Sequence, residues 1–156
     1  MDNVVIRRGT IEDAERVSAL LIALSEEFIV SEFTPKGRAN FLAAHSPAVV
    51  RQRLAGDYRF YLAEDGSDLV GVAALQANRH LYYLFVAKSH QGMGLARRLW
   101  SLVREDSTAQ GNAGKITVNA SNYAVAAYER LGFRRTGPRR ERNGVLYNPM
   151  RFVGGS

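Results

Sequence analysis

Hydrophobic and polar positions along this chain switch between helical and strand spacing, and each switch marks an element. Val4-Val5-Ile6 is a short apolar run that reads as a first strand. Val17, Leu20, Leu21, Leu24 and Phe28 then recur at helical intervals and predict a buried face on a helix over about residues 11 to 28. Thr10 with Asp13 three positions later resembles a capping box, with Asp replacing the usual Glu or Gln. Thr34-Pro35 and Ser46-Pro47 each place a capping residue before the proline favoured in a first helical turn, so short helices are expected near 35–44 and 47–55. That segment is weakly patterned. It is expected to be mobile, and His45 within it has no evident partner.

The second half is more sharply punctuated. Arg59 to Glu64 and Leu69 to Leu75 predict a hairpin about Asp65-Gly66-Ser67. Ala77-Asn78-Arg79 turns the chain into an aromatic, β-favouring run at about 80–87. Leu95, Leu99, Leu102 and Val103 mark a helix over about 93–107. Ile116 to Asn119 reads as a strand, and Ser121 or Asn122 caps a helix over about 122–131 that Gly132 ends. Phe133 to Thr136 and Val145 to Phe152 predict a closing antiparallel pair, joined through Gly137-Pro138 and Asn143-Gly144. This order argues an α+β fold, a mixed and largely antiparallel central sheet flanked by helices. One domain over 1–153 is expected, with 154–156 as a disordered tail.

Composition narrows the class. The chain has 156 residues, 46% of them hydrophobic and 23% charged, as in ordinary globular proteins. No apolar run approaches the ~20 residues that cross a bilayer, and no signal-peptide core opens the chain, so a cytoplasmic protein without a membrane partner is expected. The absence of cysteine excludes disulfides, thiolate metal sites and a cysteine nucleophile. The three histidines are scattered, and no cluster has metal-ligand spacing, so no metal is expected. A net charge of +6 suits an anionic ligand. Arg130, Arg134, Arg135, Arg139, Arg140, Arg142 and Arg151 crowd the end of the chain, but no nucleic-acid-binding motif accompanies them. They read mainly as a solvated surface, and nucleic acid is not an expected partner.

The densest chemical signal is Gln91-Gly92-Met93-Gly94-Leu95-Ala96, between the aromatic strand and the helix that follows. A strand that turns through glycines into a helix start presents unpaired backbone N–H groups at the positive end of the helix dipole, which suits a phosphate. A dinucleotide fold would need a third glycine, where this chain has Leu95, Ala96 and Arg97.

Two later stretches sharpen that signal. Asn119-Ala120-Ser121-Asn122-Tyr123 through Tyr128-Glu129-Arg130-Leu131-Gly132-Phe133 resembles the closing motif of the GNAT (GCN5-related N-acetyltransferase) superfamily, in which a helical tyrosine precedes a Gly-Phe pair. Asn143-Gly144 through Pro149-Met150 resembles that superfamily's last strand, and Gln91 to Ala96 matches its acyl-CoA loop, Gln/Arg-x-x-Gly-x-Gly/Ala. The three together cover roughly residues 80 to 152 in the family's order.

The resemblance implies transfer of an acetyl group from acetyl-CoA to a primary amine, by direct attack in a ternary complex. It implies a splayed strand pair forming the acyl-CoA cleft. Backbone amides of Gly92, Met93, Gly94, Leu95, Ala96 and Arg97 would hold the pyrophosphate, with Gln91 opening the loop. Phe85 and Val86 would pair with the pantetheine arm, a nearby N–H would meet the thioester carbonyl, and Asn119 and Ser121 would touch the cofactor from the opposite strand. Tyr128 would sit near the sulfur as the general acid, since a hydroxyl can protonate a departing thiolate. Preorganised N–H donors would steady the oxyanion. Many family members carry a glutamate base on the strand at 80–87, which here has no carboxylate. His80 is the substitute, with Tyr82 or Tyr83 as groups that could order a water. The acceptor could be a small molecule, a peptide or a protein, and family members often form homodimers. A non-catalytic acyl-CoA-binding or regulatory module and an RNA-directed acetyltransferase are the competing readings.

Overall fold

The computed structural model of the chain describes residues 3–28, 30–112 and 114–154. Gly155 and Ser156, and the side chain of Phe28, lie outside the described residues. The strands are β1 (Val4–Arg8), β2 (Tyr58–Asp65), β3 (Asp68–Gln76), β4 (His80–Val86), β5 (Thr117–Ala120), β6 (Phe133–Arg135), β7 (Arg140–Arg142) and β8 (Val145–Phe152). They join in the order β1-β2-β3-β4-β5-β8-β6, with β7 also on β8. Every pairing is antiparallel except β4 with β5. The helices are α1 (Ala14–Phe28), α2 (Pro35–Ala44), α3 (Pro47–Ala55), α4 (Leu95–Ala109) and α5 (Val125–Leu131). The expected α+β architecture is the observed one.

Two cores lie on opposite faces of the sheet. On one, Leu95, Leu99, Trp100 and Val103 of α4, with Tyr128 and Leu131 of α5, pack on Tyr61, Ala63, Ala73 and Leu81. On the other, Val17 and Leu21 of α1 and Val50 of α3 pack on Phe60, Leu62, Val72 and Tyr83. Covered faces explain why β2 and β3 are apolar at successive central positions rather than alternate ones. Burial of each such aliphatic side chain stabilises the fold by about 1.5–3 kcal/mol. Trp100 had no place in the leucine pattern, yet its ring meets Phe133 at 4.9 Å and Phe152 at 5.0 Å, joining α4 to the closing strands.

Local signals held where a side chain could reach its own backbone. The Thr34 oxygen accepts from the Gly37 N–H at 2.9 Å and the Ser46 oxygen from the Val49 N–H at 3.3 Å, starting α2 and α3. Asp13 accepts from the Thr10 N–H at 2.8 Å and is gripped by Arg7, which holds its carboxyl down at about 2. The closing region differs from expectation. Residues 140–142 form an additional short strand, and Asn143-Gly144 is a two-residue hairpin turn with φ of 52° and 79°, pairing Arg142 with Val145.

Candidate active site

Strand β4 lies beside β5 for only two register pairs, His80 with Thr117 and Leu81 with Val118, before the two part. The divergence begins at a bulge. Against β3 the register runs Leu75 with Leu81 and then Ala74 with Tyr83, which leaves Tyr82 as the extra residue. One extra residue reverses the alternation of faces. Leu81 therefore belongs to the α4–α5 core, whereas Tyr82 and Tyr83, adjacent in sequence, both face the α1–α3 side. The gap between the strands opens into a cleft of roughly 940 Å³.

At one end of the cleft stands the glycine loop. Gly92 and Gly94 have φ of 78° and 79°, and a Cβ on either would meet nothing within 4 Å, so the backbone there is both left-handed and open. Gly94 is the residue before α4, whose first N–H groups have no intrahelical acceptor. Gln91, Gly92, Gly94, Leu95, Ala96 and Arg97 all line the cleft. The Met93 side chain is exposed and is not among the lining residues. Leu95 is buried in the core, so only its backbone is available to a ligand. The Arg97 guanidinium donates to the Arg130 carbonyl at 3.1 Å, bracing α4 against α5.

Phe85 and Val86 line the same cleft, and peptide geometry gives their direction. The Ala87 N–H donates to Val70 at 2.8 Å, toward β3, so the Val86 carbonyl on the other side of that peptide faces away from β3. Gln91 Nε2 donates to that carbonyl at 3.0 Å. The Val86 N–H lies on the same edge of the strand and also faces the cleft.

Across the gap are Asn119, Ser121 and Tyr128. Ser121 accepts from the Ala124 N–H at 3.2 Å and caps the single helical turn 122–124 that leads into α5. The Tyr128 ring packs edge-on against Phe133 at 5.4 Å, and the residue is 8% exposed. Burial pushes its hydroxyl pKa well above the usual value, so it stays protonated. Among the described residues Ser25 carries the one fully buried side-chain polar atom without a partner. The Tyr128 hydroxyl has no partner among the described residues either and is not one of the sealed atoms, so it is reached from the cleft that Tyr128 lines. His80 lines the cleft where β4 and β5 still pair, with Nδ1 2.7 Å from the Thr117 hydroxyl. Burial, then Arg79, lowers its pKa and favours the neutral ring.

The far end is built largely by elements that the sequence predicted but did not connect with the cleft. Phe33, Asn40, Phe41 and His45 line it from the α2 side, and Arg142, Leu146 and Tyr147 from the β7–β8 hairpin. The two sides touch over a pair of glycines. A Cβ on Gly37 would overlap the Gly144 carbonyl, and Asn40 Nδ2 donates to the Asn143 carbonyl at 3.4 Å. His45, expected to be without partners, is instead 6% exposed and held through its carbonyl and Nδ1. Its carbonyl accepts from Ser18 at 2.6 Å, and its Nδ1 lies 2.7 Å from the Tyr83 hydroxyl and 3.2 Å from Arg53 Nη1. Burial, then Arg53, pushes the imidazole down to about 4. Arg53 also stacks over Tyr82 at 4.6 Å. No periodicity could announce this cluster, because His45, Arg53 and Tyr83 meet only through the bulge at Tyr82.

Comparison with known proteins agrees with this fold. The solved GCN5-related N-acetyltransferase described as aminotransferase, class II, from Rhodopseudomonas palustris superposes with a TM-score of 0.80 over 97% of this chain and 96% of that one, at 24% identity. The PaiA N-acetyltransferase of Thermoplasma acidophilum, solved in complex with coenzyme A, gives 0.78 over 96% and 99% at 15% identity. N-acetyltransferase family 8 member 2 of Rattus norvegicus is 30% identical over 110 residues, 64% of this chain and 49% of that protein. The chain thus spans about half the length of that curated relative. Among the described residues no helix is long and apolar enough to cross a membrane. The family model for the acetyltransferase (GNAT) domain matches residues 29–153, and with it the chain belongs to the GNAT acetyltransferase family.

Proposed function

We propose that the protein transfers an acetyl group from acetyl-CoA to a primary amine by direct attack in a ternary complex. The observation that carries the reading is the parting of β4 and β5 beside an open-glycine helix start, with an unpartnered tyrosine hydroxyl in the gap. The residues present fit the cofactor. Among the described residues no Asp or Glu lines the cleft to repel phosphates, Gly92 and Gly94 leave the backbone open, and the free edge of β4 offers amide pairing. The PaiA protein, solved with coenzyme A, shares the fold. Bound acetyl-CoA supplies an activated thioester carbonyl and a thiolate leaving group.

In this reading the amides from Gly92 to Arg97 receive the pyrophosphate, and Gln91 holds the loop to Val86. Phe85 and Val86 pair with the pantetheine arm, and a cleft-facing N–H beside them donates to the thioester oxygen. Asn119 on β5 and Ser121 just after it contact the arm from the opposite side. Tyr128 gives its proton to the departing sulfur, and His80, neutral beside Thr117, accepts one from the amine through Nε2 or a water. A non-catalytic acyl-CoA-binding module is the second reading, favoured by the lack of a carboxylate base in the cleft. Incubation with acetyl-CoA and a panel of amines, following free thiol, separates the two. Amine-dependent thiol release is expected, and tight CoA binding without release from any amine sinks the catalytic reading.

A further inference from the structure

The far end of the cleft indicates which amine this site takes. Its walls are aromatic and apolar, from Phe33, Phe41, Tyr82, Leu146 and Tyr147. Amines that carry extra positive charge are ordinarily held by carboxylates, and among the described residues no Asp or Glu lines this cleft. Asn40, Tyr82 and Tyr147 there can donate or accept, whereas two further lining side chains, Arg142 and His45, present only protons to the cleft. Arg142, exposed on β7, carries a guanidinium with nothing to accept.

His45 is a donor too, and the hydrogen-bond chain behind it says so. Arg53 Nη1 has only protons to give, and it reaches the Tyr83 oxygen at 2.5 Å. The Tyr83 hydroxyl lies 2.7 Å from His45 Nδ1 and can give its proton there. Arg53 Nη1 also approaches that nitrogen at 3.2 Å. Nδ1 must accept, so the single proton of the neutral ring sits on Nε2. Burial keeps Tyr83 protonated by raising its pKa, and the imidazole neutral. Nε2 has no partner among the described residues, nor is it among the sealed, unpaired atoms, so its N–H opens onto the cleft that His45 lines.

We infer that the acceptor is an amine carrying its own carboxylate on an apolar body, an aromatic or branched amino acid, whose carboxylate is received by the His45 Nε2–H and the Arg142 guanidinium. The inference rests on the acetyl transfer proposed above and adds the acceptor class. The Arg53–Tyr83 pair fixes the tautomer, so both are positioning residues for His45. The aromatic walls take the apolar body, and the amine is left toward Tyr128 and His80.

Three probes discriminate: phenylalanine, phenylalaninamide, which is the same shape without the charge, and spermidine. Phenylalanine is expected to have the highest kcat/KM. Calorimetry on protein loaded with CoA lacking the acetyl group should show it binding at least about tenfold tighter than the amide, as a hydrogen bond to a charged group implies. Arg142→Met, at an exposed position, should lower kcat/KM for phenylalanine about ten- to hundredfold more than for phenylalaninamide. His45→Phe should act likewise, and His45→Gln, which keeps an N–H near the Nε2 position, should recover part of the loss. Thiol release that is as fast with phenylalaninamide or spermidine overturns this inference while leaving acetyl transfer intact. So does an Arg142→Met effect equal for the two phenylalanine probes. No thiol release with any amine overturns the enzymatic reading itself.

Discussion

The two ends of the cleft are made by different means. The glycine loop end is backbone: two left-handed glycines, a helix start and a free strand edge, contributed by residues contiguous from Val86 to Arg97. The aromatic end is side chain, contributed by α2, β4 and the β7–β8 hairpin, which lie far apart in sequence. A backbone site needs little from its side chains beyond their absence, so it leaves a short, readable motif. A side-chain site depends on tertiary contacts, and its residues can be varied to suit different acceptors without disturbing the loop. One end therefore marks the family, and the other would set the substrate.

Substitutions should separate the ends. The largest effect is expected where they meet. Tyr128→Phe should lower kcat by about 10²–10⁴-fold, the usual worth of a positioned acid, with the CoA dissociation constant unchanged. Turnover at the wild-type rate under saturating substrates would remove that role. Gly94→Val comes next, because it forces a β-branched residue to φ near 79° and fills the open approach. Strain of about 1–3 kcal/mol corresponds to roughly ten- to hundredfold weaker CoA binding, readable by calorimetry. Gly37→Val addresses the other end. It pushes α2 off the Gly144 carbonyl, so acceptor KM should rise by about tenfold while CoA affinity holds, at a stability cost of about 1–3 kcal/mol.

The two ends should also differ in response to acid. The folded-state pKa of His45, about 4, lies below its ordinary 6.5. Above pH 6.5 neither state binds the proton and the full contribution is present. As pH falls below 6.5 the unfolded chain takes it up first, and stability is lost at up to about 1.4 kcal/mol per pH unit until about pH 4. His80 is shifted in the same direction and adds to the slope. Urea unfolding from pH 7 to 4 on wild type and His45→Gln should show a shallower slope in the variant. Identical slopes would mean that His45 is not held neutral. Asp13, lowered from 3.8 to about 2, loses its contribution only in that more acidic range. The smallest effect belongs to its neighbour Arg16, which is paired with Glu64 at 2.9 Å but partly exposed. Arg16→Ala should change the melting free energy by less than about 1 kcal/mol and leave both ends of the cleft unaltered.

What the sequence determined by itself was everything decided over a few residues. Thr34-Pro35 and Ser46-Pro47 start helices because a side-chain oxygen reaches an N–H three positions away. Gly92 and Gly94 mark a left-handed turn because other residues pay for that conformation, and Gly132 ends α5 for the same reason. Residues Gln91 to Arg97 could be grouped with Asn119, Ser121 and Tyr128 through the resemblance to a family, and the fold does bring them, Met93 apart, to one cleft. The tertiary structure alone decided the aromatic end. The bulge at Tyr82 has no composition of its own, yet it turns two consecutive tyrosines to one face and gives His45 and Arg53 a shared partner. The close approach of Gly37 to Gly144 likewise spans more than a hundred residues. Neither periodicity nor capping extends that far, because each acts within a turn or two of one element, whereas the aromatic end exists only where α2, β4 and the hairpin converge.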